Sequence, residues 1–68
     1  MKCAVIFEKT ENNYASYVPD LPGCIATGKT RDDVERLIRE AIAFHIEGLR
    51  EQGEAVPPPV AWAELVDI

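Results

Sequence analysis

Apolar and polar positions alternate with a period of two over the first quarter of the chain, and with a period near 3.6 through its middle. Lys2–Glu8 places Cys3, Val5 and Phe7 on one face of a strand and Ala4 and Ile6 on the other. Both faces are apolar, which predicts a central strand covered on both sides. One helix covers one face only, so a second copy of the chain or a partner protein is expected on the other. Lys9–Asn13 is polar and turn-like, and Asn12-Asn13, which tolerates the left-handed region, favours a hairpin. Tyr14–Val18 is the return strand, with Tyr14, Ser16 and Val18 on one face and Ala15 and Tyr17 on the other. The two tyrosines fit either ordinary strand aromatics with hydroxyls at the rim or anchors of an interface.

The stretch Pro19–Thr30 divides strands from helix. Its prolines fix their own φ and push Val18 and Leu21 out of the helical region. Pro22-Gly23 fits the centre of a type II turn, whose second position needs φ > 0. Cys24–Gly28 follows as a short third strand at an edge. Thr30 is placed to cap a helix, with Asp33 three residues on to answer back.

Arg31–Gln52 is the one helix. Val34, Leu37, Ile38, Ala41, Ile42, His45 and Leu49 form a single stripe. Asp32, Asp33 and Glu35 lie near its N-terminus, where the helix dipole favours anions, and Gly53 is its stop signal. Phe44 and Ile46 flank the stripe, so the apolar arc is wider than one sheet needs. After the rigid Pro57-Pro58-Pro59, Val60–Ile68 is expected to be a last strand, best in Ala63–Val66. A right-handed crossover sets that strand parallel to the first. The expected fold is α+β, in the order β-β-β-α-β. Its four-stranded mixed sheet has the order 3-2-1-4, with the helix packed on one face.

With 68 residues the chain is read as one domain, 1–68, small enough that oligomerisation is its expected added stabiliser. Two cysteines, Cys3 and Cys24, allow one bridge at most and suit small core residues in a reduced cytosol. No apolar run is long enough to span a bilayer, and no secretory leader is expected. The net charge of −5 argues against a nucleic-acid surface and suits a basic protein partner, or simply solubility.

Candidate chemistry is sparse. Gly23 to Thr30 formally matches the phosphate-binding pattern G-x-x-x-x-G-K-[ST]. Its middle residues, Cys24-Ile25-Ala26-Thr27, are strand-like rather than loop-like, and a proline-rich turn precedes them, so nucleotide binding is not expected. His45 is the only histidine and sits in the helix stripe, where packing explains it better than general-base catalysis. Glu8, Asp20, Glu64 and Asp67 show no metal-ligand spacing, and neither cysteine has a companion base in sequence. No catalytic residue, cofactor or metal is expected.

Tyr17-Val-Pro-Asp-Leu-Pro-Gly-Cys24, followed by Gly28-x-Thr30 and Glu40-Ala-Ile42, resembles the signature of the HicB-type antitoxins. The resemblance continues in Gly48-Leu-Arg50, Gly53 and the Pro57-x-Pro59 spacing. It implies a partial RNase H-like fold without nuclease activity. It also implies a HicA-type toxin, a small basic ribonuclease that cuts mRNA, as the partner to be silenced. The partner-binding residues it suggests are Tyr17, Asp20, Leu21, Pro22 and Gly23, in a homodimer or homotetramer in the cytoplasm. Many such antitoxins continue into a helix-turn-helix or ribbon-helix-helix domain. This sequence ends at Ile68, so DNA binding is not expected of it. The alternative is an orphan oligomeric scaffold or small-ligand-binding domain with no toxin partner.

Overall fold

In the computed structural model, which describes residues 2–68, three strands and one helix form. β1 spans Ile6–Lys9, β2 Tyr14–Tyr17 and β3 Ile25–Gly28; α1 spans Arg31–Glu51. The strands make an antiparallel meander in the order β1-β2-β3, with Ile6 opposite Tyr17 and Tyr17 opposite Ile25.

The first strand begins later than its alternation suggests, and the register explains why. With Ile6 opposite Tyr17, residues 2–5 would have to pair with residues 18–21. Those residues turn away: Leu21 N–H donates to Val18 O (3.1 Å), and Cys24 N–H donates to Leu21 O (3.0 Å). Pro19 has no N–H to offer. The second bond closes the expected turn over Pro22-Gly23, and Gly23 has φ +84°. Val18 N–H then donates to Cys24 O (3.2 Å), closing the neck of the turn.

The expected hairpin between β1 and β2 forms, without using the left-handed backbone that its asparagines tolerate. No residue but glycine has positive φ among the described residues, so Asn12 and Asn13 stay out of the left-handed region. Thr10 N–H donates to Asn13 O (2.8 Å), and Asn13 N–H donates to Thr10 Oγ1 (3.1 Å). Side-chain bonding replaces the unusual backbone.

The ends of α1 follow the sequence signals. Thr30 Oγ1 accepts from Asp33 N–H (3.1 Å). The return half of the capping box is absent; the Asp33 carboxylate faces Arg36 instead, at 3.9 Å. At the other end, Gly53 N–H donates to Arg50 O and Glu54 N–H to Leu49 O, a Schellman motif with Gly53 at φ +72°. Val34 and Ile38 point from the helix into a core completed by Val18, Leu21 and Cys24. Cys3, Val5, Ala41, Ile42 and Ile46 pack around it. Both cysteines are free thiols.

The expected fourth strand is not there. Residues 60–68 belong to no ladder, and the sheet has three strands, not four in the order 3-2-1-4. Ala61 N–H is taken by the Asp20 carboxylate, and residues 61–63 come alongside residues 2–4, which lie before β1. The tail thus meets the chain where no ladder exists to extend. The RNase H-like arrangement depended on that fourth strand. The observed order is β-β-β-α, with the helix on one face of the meander as expected.

Candidate protein-binding surface

The register that builds the sheet also sorts its two faces. Ser16, Val18, Cys24 and Ala26 turn towards α1. The other face has no helix. Ile6, Tyr17 and Ile25 are directly opposite one another across the three strands and therefore share that open face. Tyr17 is 41% exposed and Ile25 68% exposed. This is a short apolar row on a protein of net charge −5, on the side that the doubly apolar first strand predicted would need a cover.

The turn of residues 18–24 stands at one end of the row. Its side chains divide sharply. Leu21 is 0% exposed and is the turn's core anchor, so its side chain is not available at the surface as the sequence reading expected. Pro22 and Gly23 are exposed at the tip. Asp20 is half-buried, and its carboxylate accepts from Ala61 N–H at 3.3 and 3.4 Å. Of the five residues singled out in the sequence, Tyr17, Pro22 and Gly23 present surface, Asp20 ties down the tail, and Leu21 holds the turn in place. Ile6 and Ile25 were missed. Their signal was available only once the strand register was known, because it is register that brings them to either side of Tyr17.

Other candidate chemistry resolves into structure. Residues 25–28 of the phosphate-loop look-alike are β3, and their backbone is committed to a ladder rather than free to wrap a phosphate. Among the described residues no three His, Cys, Asp or Glu side chains converge. His45 is half-buried on α1. Burial pushes the Cys24 thiol above its ordinary value, and nearby Cys3 adds to the effect. No helix among the described residues is long and apolar enough to cross a membrane.

Residues 3–67 match the model of the HicB-like antitoxins of bacterial toxin–antitoxin systems. The chain belongs to that family. It is 43% identical to a UPF0150 protein of Thermoplasma acidophilum over 58 residues, which cover 84% of each chain. An uncharacterised 14.9 kDa protein of Haemophilus phage HP1 is 42% identical over 53 residues. These cover 78% of this chain but 40% of the phage protein, so the chain spans less than half of that relative's length. Among solved structures, a chain of a HicA3 and HicB3 toxin–antitoxin complex matches with a TM-score of 0.70 and 36% identity. The match covers 84% of this chain and 67% of that one.

Proposed function

We propose that this protein neutralises a HicA-type, mRNA-cleaving toxin by binding it directly and covering its catalytic and RNA-binding surface. The observation that carries the reading is the 36% identity to a chain of a HicA–HicB complex, together with the family match over residues 3–67. The contact surface is the open sheet face, with Tyr17 between Ile6 and Ile25, continued by Pro22 and Gly23 at the tip of the turn. Leu21 serves it from behind by fixing the turn, and Asp20 by tying the tail to it. An apolar row on a protein of net charge −5 suits a basic ribonuclease: the row supplies burial, and the charge supplies fast, selective encounter. The protein acts in the cytoplasm as a homodimer or homotetramer and carries no enzymatic activity of its own. Its part in the fourfold sheet of an RNase H-like arrangement is completed outside the lone chain.

The test is co-expression with the small basic protein encoded beside it. Growth arrest by the neighbour alone, relieved by this chain and not by its Tyr17→Asp variant, is the expected result. A neighbour that does no harm when expressed alone, or none that binds, overturns the antitoxin reading in favour of an orphan scaffold.

A further inference from the structure

The helix leaves one strand uncovered. α1 packs on β3 and β2 but not on β1. Two grooves therefore run along β1 on the helix side, of about 620 and 340 Å³. The larger is floored by Cys3, Val5 and Phe7 and walled by Ile38 and Ile42, with Lys2, Glu35 and Arg39 as its charged residues. The outer edge of β1 is free as well, since β2 occupies one side and no strand among the described residues occupies the other. Such an edge is a template for one more strand.

The same chain carries a segment of matching character. Val60, Trp62, Leu65, Val66 and Ile68 are all exposed, Leu65 and Ile68 completely. Trp62 Nε1–H donates to Glu64 Oε1 at 3.1 Å, which puts residues 62 and 64 on one side of an extended segment and leaves Ala63 and Leu65 for the other. Arg39 is already paired with Glu35 at 3.3 Å, so Lys2 is the groove's cation that complements the segment's charges, Glu64 and Asp67. Its root is held to its own protomer by the bond from Ala61 to Asp20, and beyond residue 63 it runs into solvent.

We propose that a second copy of this chain fills the groove by reciprocal exchange of tails. Residues 63–67 of each protomer lie along the free edge of β1 of the other, and Leu65 enters the groove beside Phe7. Both halves of the contact are on one chain, so the exchange closes as a two-fold dimer and leaves the open face with Tyr17 free. Two tails, each with several large apolar side chains, provide burial on the scale of the ~1,000 Å² that a specific interface takes. The added strand is the fourth strand that the lone chain lacks. This inference rests on the homo-oligomer proposed above, not on the identity of the toxin.

The experiment mixes isotope-labelled and unlabelled copies of the full chain and records filtered nuclear Overhauser effects, with light scattering in parallel. A dimer with contacts between the Leu65 methyls of one copy and the Phe7 ring of the other is expected. Leu65→Asp, at a fully exposed position, is expected to weaken the dimer at least tenfold while its helical circular dichroism stays unchanged. Contacts confined to one chain overturn the exchange in favour of a fourth strand in the same protomer. A dimer indifferent to Leu65→Asp overturns the exchange but leaves the oligomer standing, and a monomer at every concentration removes both.

Discussion

Asp20 and Ala61 are joined across 41 residues of sequence: both carboxylate oxygens of Asp20 lie within reach of the Ala61 N–H, at 3.3 and 3.4 Å. The bond ties the tail to the turn that also ends β2. Replacing Asp20 with Ala leaves the Ala61 N–H without its acceptor and loosens everything after the proline segment. The expected cost is about 1 kcal/mol of stability. Amide hydrogen exchange gives the sharper readout, with protection at residue 61 lost and protection in α1 retained.

Ser16 is the opposite case, a polar group with nothing to hold. Its Oγ is buried between strands and helix and has no hydrogen-bond partner among the described residues. A buried hydroxyl without a partner costs roughly 1–3 kcal/mol in desolvation, so Ser16→Ala is expected to stabilise the fold. A gain of 1 kcal/mol corresponds to a rise of about 4–8 °C in Tm for a domain of this size. Thermal unfolding decides it, and a lower Tm for the variant means that the hydroxyl has a partner in solution.

The Cys24 thiol predicts how stability depends on alkaline pH. Burial, helped by Cys3, raises its pKa above the ordinary 9.0. The folded chain therefore keeps a proton that the unfolded chain has already released. This contribution is intact below pH 9.0 and is lost as the pH rises from there towards the folded value. Denaturant titrations of the native chain and of Cys24→Ala from pH 7 to 10 isolate the contribution of this group. The native chain is expected to lose stability more steeply than the variant above pH 9.0.

Gly28 sets how closely α1 approaches the sheet. A Cβ there would lie 2.8 Å from the Val34 backbone nitrogen, closer than any side chain tolerates. Since Val34 is in the first turn and in the core, the helix cannot yield without opening that core. Gly28→Ala is expected to cost about 1–3 kcal/mol by overpacking. Chemical denaturation measures this directly, and an unchanged midpoint means that the contact is looser than the backbone indicates.

What was legible in the sequence was whatever one residue type imposes locally. Pro22-Gly23 dictated its turn, Thr30 its cap and Gly53 its stop, because each acts through its own dihedrals or a bond to a neighbour three residues away. The stripe from Val34 to Leu49 likewise marked the helix. Relationships between distant segments were not legible. The apolar alternation of residues 2–8 was real, but only a register set by the hairpin and the 18–24 turn decides that pairing begins at Ile6. Residues 60–68 have strand-like composition, yet a strand needs an edge to pair with, and composition does not say whose edge that is. Tyr17 was singled out from the motif alone, whereas its flanks Ile6 and Ile25 needed the sheet.

The row Ile6–Tyr17–Ile25 makes the proposed toxin-binding surface testable apart from stability. Tyr17 and Ile25 are exposed in the free chain, so charged residues there cost little folding energy. If the row forms the centre of the complex, Ile25→Asp and Tyr17→Asp each bury an unpaired charge on binding. Each is expected to weaken the complex by at least 2 kcal/mol, roughly a thirtyfold rise in Kd. Lys29→Ala, beyond the end of β3, is expected to change binding by less than about 0.5 kcal/mol. Calorimetric titration of the three variants against the toxin, with circular dichroism as the check on folding, locates the surface. Full affinity retained by both row variants moves the contact to another face.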